Sequence, residues 1–418
     1  MFAVDRRSFL GTSVRSLAAA LAAGPQLLGH RSSAGTHDHP TTTSPDNLFL
    51  TWQRDPTTTM TVQWVGHNTS YAESVISFAP TTTAAWASVK PTVRPFPLTD
   101  LKLFRAELTG LTPGGEYRFQ IGHNPTTYHF RTMPAKATDS LTFVSGGDCG
   151  VNPHTAAVNA IAARQDPWFA VIGGDIAYDN GTSAATMLGF LRNYHQHMVD
   201  SKGRLIPMLA CIGNHEVVGG YNGLRSNAPF FFALFDGLFR DTSYATLDFG
   251  DYLSLVLLDT GHVSPIGGEQ TDWLDKALRD RAGRPHVVVV NHVPAYPSYR
   301  PSDDTGSGNR EHWVPLFERH EVDVVLEHHD HTFKRTHPMR GGHIDRDGIV
   351  YLGDGSWGQL RAPNSPESRP YLAASGQSYH VSLHRLEGEQ RYHMALEESG
   401  RIVDVCTTHK RPRHRVPS

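Results

Sequence analysis

Side chains that bind hard and borderline metal ions recur along this chain in the order Asp148, Asp175 with Tyr178, Asn214 followed by His215, His292, and His329 with His331. Carboxylate, phenol, carboxamide and imidazole make a mixed oxygen and nitrogen set that suits Fe, Zn or Mn better than Ca, and the lack of thiolates argues against a purely soft site. Their order and spacing describe a two-metal centre for phosphate-ester hydrolysis. Two cations about 4 Å apart hold an ester oxygen, activate water and neutralise charge during in-line attack at phosphorus.

Taken singly, these residues persuade little. Asp148 in Gly147-Asp148-Cys149-Gly150 and Asp175 in Gly174-Asp175-Ile176-Ala177-Tyr178 also read as turn or cap residues. His292, after four valines and Asn291, also reads as a hydrogen-bonded core histidine. Glu327-His328-His329-Asp330-His331 is stronger, because three imidazoles within four positions are costly to bury unless they bind something.

Elements that would position these residues follow from the apolar runs. Segments 141–144, 168–172, 205–212, 253–258, 287–290, 322–326 and 349–352 read as strands covered on both faces. Helices are expected over 156–164, 269–281 and 311–319. In open α/β sheets ligands bind beyond the carboxyl ends of strands. Asp148, Asp175, Asn214, His292 and His329 each fall just past such an end, so ligands distant in sequence converge on one point.

Earlier in the chain, short runs at 48–53, 60–65, 74–78, 104–108, 117–122 and 128–132 alternate polar and apolar residues, most clearly in Thr61-Val62-Gln63-Trp64-Val65. With turns such as Thr112-Pro113-Gly114-Gly115, they imply a β-sandwich of about 90 residues. It carries no cluster of ionisable residues, so it is expected to act as a scaffold packed on the larger domain. Gly110-Leu111-Thr112-Pro113 leading into Glu116-Tyr117-Arg118-Phe119 resembles a fibronectin type III-like domain.

Composition narrows the partners. The 418 residues carry a net charge of −3, and no long basic block occurs before the tail His409-Lys410-Arg411-Pro412-Arg413-His414-Arg415. No nucleic-acid-binding surface is therefore expected. No segment approaches the roughly 20 apolar residues of a transmembrane helix. The three cysteines, Cys149, Cys211 and Cys406, form no CxxC pair, so neither a disulfide framework nor a zinc ribbon is supported. The start, Asp5-Arg6-Arg7-Ser8-Phe9-Leu10-Gly11 followed by an Ala-rich stretch, matches a twin-arginine export signal. The expected destination is periplasmic or extracellular.

The ordered motifs GDxG, GDxxY, GNH(E/D), VxxH and GHxH are met by Gly147 to Gly150, Gly174 to Tyr178, Gly213 to Glu216, Val289 to His292 and His328 to His331. On these residues the chain resembles a purple acid phosphatase of the calcineurin-like metallophosphoesterase superfamily, over residues 46–405. The resemblance implies an α/β (α+β four-layer) fold: an N-terminal all-β sandwich, 46–134, followed by a metallophosphoesterase β-sandwich flanked by helices, 140–405. A signal peptide at 1–35 and a disordered tail at 406–418 complete the expected layout.

By the same resemblance, one metal would be held by Asp148, Asp175, Tyr178 and His331, and the other by Asp175, Asn214, His292 and His329, with Asp175 bridging. The metals would be Fe(III) with Fe(II), Zn(II) or Mn(II), and small phosphomonoesters would be cleaved by a metal-bound hydroxide. His215, beside ligand Asn214, is assigned the catalytic task of stabilising the phosphoryl group or protonating the leaving oxygen. Asn291, Tyr296 and Arg300 are candidates for the substrate mouth, and loops 222–232 and 298–310 for its selectivity. Two features depart from the family pattern: His328 stands at the glycine of GHxH, and Phe333 where an aromatic hydroxyl is frequent. His329 and His331 are kept as ligands because alternate residues share a side, which turns His328 away. A phosphodiesterase using the same metals and a non-catalytic exported binding protein are the alternative readings.

Overall fold

The computed structural model describes residues 45, 47–67, 74–137 and 140–409. The expected export signal and the last nine residues lie outside that set. Among the described residues, no helix is long and apolar enough to cross a membrane.

The first eight strands are β1 (Phe49–Thr51), β2 (Met60–Gly66), β3 (Ile76–Pro80), β4 (Ala87–Val89), β5 (Thr92–Pro95), β6 (Lys102–Leu108), β7 (Glu116–Ile121) and β8 (Tyr128–Arg131). They form two antiparallel sheets of order β1-β2-β6-β5 and β4-β3-β7-β8. Alternation puts Trp64 and Phe104 on one inner face, stacked with ring centroids 5.0 Å apart, and Phe119 and Tyr128 at 5.1 Å on the other sheet. The sandwich is fastened to the rest of the molecule. Buried Arg105 donates to Asp236 at 2.5 Å and to the carbonyl of Ala233 at 2.8 Å, while Gln63 donates to the Leu234 carbonyl at 2.9 Å.

The larger domain holds two mixed sheets. In the first, β9 (Leu141–Gly146), β10 (Ala170–Ile172) and β11 (Met208–Ala210) run parallel. Antiparallel strands β21 (His380–Glu387), β22 (Gln390–Glu397) and β23 (Ile402–His409) extend it, in the order β11-β10-β9-β21-β22-β23. The second sheet joins β12 (Ala245–Phe249), β13 (Leu253–Leu257), β14 (His286–Asn291), β15 (Val324–Glu327), β16 (Phe333–Thr336), β19 (Val350–Asp354) and β20 (Leu372–Gly376), in the order β12-β13-β14-β15-β19-β16-β20. Strands β13, β14, β15 and β19 are parallel. A ribbon of β17 (Met339–Arg340) and β18 (His343–Ile344) stands apart.

Strand β19 lies against β9 and β21, which puts the two sheets face to face. Helices α1 (Pro153–Ala163) and α2 (Ala184–His197) belong to the first half, and α3 (Pro229–Phe235) follows β11. Helices α4 (Glu269–Arg279) and α5 (Val314–Arg319) bury Leu274, Leu278 and Phe317 against Val256, Val289 and Val325 of the second sheet. The result is the expected sandwich flanked by helices.

Several expected limits move. The helix foreseen over 311–319 starts as a π-turn, Asn309–Trp313, before α5, because Pro315 has no N–H to continue an α-helical ladder behind it. Strand β23 runs through Cys406 to His409, hydrogen-bonded to β22, so the domain continues past 405 and these four residues are not tail. Helix α2 and strands β20 to β23 were not among the expected elements. All three cysteines are free thiols.

Candidate metal centre

Parallel strands in both sheets end at one rim, and every expected ligand follows such an end. Asp148 comes two residues after β9, Asp175 three after β10, Asn214 four after β11, His292 directly after β14, and His329 two after β15. The backbone there turns through the left-handed region: φ is 58° at Asp148, 53° at Asp175, 62° at Tyr178, 70° at His329 and 59° at His331. Non-glycine residues seldom hold that conformation, and when they do it tends to be at functional sites. Gly174, at φ 96°, has no room for a side chain, since a Cβ there would lie 2.6 Å from the His292 ring.

Two groups of donor atoms result. In one, the Tyr178 hydroxyl lies 3.3 Å from Asp148 Oδ1 and 3.0 Å from His331 Nε2, with His331 Nε2 3.1 Å from Asp148 Oδ1. In the other, His292 Nε2 lies 3.1 Å from Asn214 Oδ1 and 3.0 Å from His329 Nδ1. Asp175 sits between them, its Oδ2 3.3 Å from His292 Nε2. Ligand atoms of Asp148, Asp175, His292 and His329 all fall within 4.8 Å of one another.

This arrangement fits cations better than protons. His292 Nδ1 donates to the Gly173 carbonyl at 2.9 Å, which leaves Nε2 aimed into the centre. That atom faces the Asn214 oxygen at 3.1 Å and the Asp175 carboxylate at 3.3 Å, both acceptors. Asp175 Oδ2 is buried with no hydrogen-bond partner, while Oδ1 accepts from the His215 N–H at 2.8 Å. Converging acceptors repel unless positive charge lies among them; a proton on His292 Nε2 supplies one such charge, and a cation in its place would reach all of these atoms at once.

Electrostatics agree. Burial alone would raise the Asp175 carboxyl, but His292, His215 and His329 together hold it well below the carboxylate range. Burial lowers the His292 imidazolium, yet Asp175 and Asp148 more than offset this and bring it up to about 9. Burial, then Asp148 and Asp175, push the Tyr178 phenol far above its ordinary value. Such a phenol ionises only when a strong cation takes the place of its proton. Burial, followed by His292 and Arg300, keeps His329 neutral.

His215 stands beside the centre without joining either group. Its Nδ1 pairs with Asn180 Oδ1 at 2.5 Å, and its Nε2 lies 3.9 Å from Asp175 Oδ2. Burial lowers its proton affinity. Glu216 supports from behind: its carboxylate accepts the backbone N–H groups of Asp175 at 2.8 Å, Ile176 at 2.7 Å and Gly213 at 2.7 Å.

His328 points away from the ligands, its Nδ1 2.9 Å from the Asn291 carbonyl. Its ring fills the space over Gly147 and Gly173, where added Cβ atoms would come within 2.8 Å and 1.9 Å of it. The bulk at the family's glycine position is thus taken up beneath the loops and does not narrow the mouth. Two expected mouth residues are corrected as well. Asn291 is buried and donates to the Val293 carbonyl, and Tyr296 packs on Tyr351 and Tyr371 in the core, because the chain turns inward after His292. Arg300 does reach the site, on the His329 carbonyl.

Four residues beside the centre were not foreseen. The Tyr221 hydroxyl lies 3.4 Å from His329 Nε2. His262, buried against His292, turns its Nδ1 to the Gly220 carbonyl. Asn180 orients His215, and Asp330, between the two histidine ligands, ties down the segment carrying Arg300. Only Asp330 left a sequence signal, an acid at the odd position of the His329–His331 alternation.

With this geometry in view, comparison with known proteins identifies the class. Residues 152–333 match the family of calcineurin-like phosphoesterases, and residues 45–132 match the N-terminal domain of purple acid phosphatases. The molecule is a metal-dependent phosphoric-ester hydrolase. Within that class, the chain joins a purple acid phosphatase-type N-terminal domain to a calcineurin-like phosphoesterase domain, and its relatives include purple acid phosphatases. It is 25% identical over 326 residues to purple acid phosphatase 21 of Arabidopsis thaliana, covering 72% of this chain and 70% of that one. An uncharacterized protein of Mycobacterium tuberculosis is 27% identical over 340 residues, covering 70% of this chain and 62% of its own length. Yellow lupin purple acid phosphatase superposes with a TM-score of 0.72 at 15% identity, over 89% of this chain and 77% of that one. A structure of PhoD gives a TM-score of 0.61 at 12% identity, over 90% and 92%, a likeness of fold.

Proposed function

We propose that this enzyme hydrolyses phosphomonoesters outside the cytoplasm with a mixed-metal pair. Asp148, Asp175, Tyr178 and His331 would hold Fe(III), and Asp175, Asn214, His292 and His329 would hold Fe(II), Zn(II) or Mn(II). The observation that carries this reading is the partnerless Asp175 Oδ2 among converging acceptors, with a phenol on one side only. When bound, the ions supply Lewis acidity and water activation for in-line displacement at phosphorus. The phenol supports the trivalent assignment, since a hard cation is what would hold a phenolate in so acidic a surrounding.

His215 is placed to serve the leaving oxygen. Asn180 fixes its Nδ1 and leaves Nε2 facing the centre. Burial lowers its proton affinity; a bound anionic ester would favour uptake of a proton from solvent at Nε2, and the departing alkoxide would receive that proton. The N-terminal sandwich, in our reading fibronectin type III-like, is a brace, since its buried Arg105 and Gln63 fasten it to the larger domain. Export by the twin-arginine route, to the periplasm or beyond the cell, rests on Arg6 and Arg7 with the Ala-rich stretch after them.

Parallel assays of the purified holoenzyme on an aryl monophosphate and a bis-aryl phosphate, with elemental analysis and a visible spectrum, test the proposal. Preference for the monoester, two metal equivalents including iron, and a phenolate-to-iron absorption band are expected. A colourless protein that prefers the diester would contradict both the iron assignment and the substrate. Retention of the protein in the cytoplasm irrespective of Arg6→Lys and Arg7→Lys would contradict export.

A further inference from the structure

Residues 297–300 follow β14 and lie in no helix or strand, yet their backbone is pinned nearly atom by atom. Asp330 Oδ2 accepts the N–H groups of Ser298 at 2.5 Å and Tyr299 at 2.8 Å. The Asn364 side chain donates to the carbonyls of Ser298 at 2.8 Å and Tyr299 at 3.1 Å. Arg369 donates to the carbonyls of Pro297 and, at 2.6 Å, Arg300. Because Asp330 lies between His329 and His331, this segment and the histidine ligands behave as one rigid piece.

That rigidity positions Arg300. Its Nη1 donates to the His329 carbonyl and to Asp330 Oδ1 at 3.1 Å. Among the described residues no acceptor meets its Nε or Nη2, and the side chain is 21% exposed. One edge of the guanidinium is therefore held while the other is free, on the half of the centre whose imidazole and carboxamide ligands bring no charge of their own. A planar fork fixed this way is suited to a phosphate oxygen.

We infer that Arg300 reads the charge of the ester: its free edge pairs with the non-bridging oxygen that a monoester dianion offers and a diester carries in esterified form. This rests on the phosphomonoester reading above. It makes Arg300 the specificity-determining residue and Asp330 its positioning residue.

The test uses metal-loaded wild type, Arg300→Gln and Arg300→Lys on the same two esters, with inorganic phosphate as competitive inhibitor. Losing a hydrogen-bonded charge pair predicts for Arg300→Gln a fall of about 10- to 100-fold in kcat/KM on the monoester, mainly through KM, with the phosphate inhibition constant rising in step. On the diester the change should stay within about threefold, and Arg300→Lys should regain part of the loss by charge alone. Equal losses on both esters, unchanged phosphate inhibition, or loss of metal from Arg300→Gln would each overturn the inference. Should wild type cleave neither ester, the monoester reading falls. Calorimetric titration of wild type and Arg300→Gln with inorganic phosphate then decides the arginine's role separately, and equal affinity would reject it.

Discussion

The two sheets furnish the centre with unlike materials. Strand ends of the first sheet bring the proposed oxygen ligands, Asp148, Asp175, Tyr178 and Asn214, while those of the second bring only the proposed imidazole ligands, His292, His329 and His331. The braces differ in the same sense. Behind the first, Glu216 grips three backbone N–H groups without a cation, and burial and Asp175 raise its proton affinity to about 8. Behind the second, Glu327 accepts from Ala295 N–H at 2.6 Å and is paired with fully buried Lys334 at 2.5 Å. The carboxylates at the rim, Asp148 and Asp175, both belong to the first sheet, while the acid behind the second is neutralised by a lysine, so bound cations would be held mainly by the first sheet and oriented by the second.

Removing the shared carboxylate should break both halves together. Asp175→Ala is expected to lose both metals and at least about 10³-fold in kcat, read by elemental analysis beside turnover; full activity with both ions present would refute the shared role. Next comes Lys334→Met, which leaves Glu327 buried and unpaired at a cost of about 3–5 kcal/mol, seen as a lower thermal midpoint of the metal-loaded protein. An unchanged midpoint would show that the second sheet does not depend on this pair. His215→Asn should lower kcat by about 10²-fold and leave metal content alone, since no metal group includes it. The gentlest change, Tyr178→Phe, should abolish visible absorption while the ion on the imidazole side stays bound. Loss of both ions there would mean that the halves are not separable.

The ligand loops were legible because each follows a run of β-branched or apolar residues that can only be a buried strand, as Val287-Val288-Val289-Val290 precedes His292. Strands β21 to β23 were hidden for the opposite reason. Their inward positions are polar: His384 Nε2 meets Ser145 Oγ at 2.7 Å, its Nδ1 meets His393 Nδ1 at 2.8 Å, and His393 Nε2 meets Thr408 at 3.0 Å. A buried network of hydrogen-bonding side chains looks, in sequence, like an exposed face. Helix α2 did carry a signal, Ser183 as N-cap with Met187, Leu188, Leu191 and Tyr194 at helical spacing. Gly189 interrupts that run because a Cβ there would press within 3.3 Å of Val151. The tie from Asp330 to residues 298–300 spans loops 30 positions apart, which no local pattern encodes.

The left-handed turns at five of the seven proposed ligands would tie the ions to the chain itself. Each such conformation costs a non-glycine residue about 1 kcal/mol or more. Hydrogen bonds such as Asp175 N–H to Glu216 and His329 N–H to Asp148 offset part of it and coordination would offset more, so chelation should do more than vacate the rim. The five turns would gain freedom to return to ordinary backbone geometry, and amide hydrogen exchange should quicken there first, with the interiors of both sheets still protected.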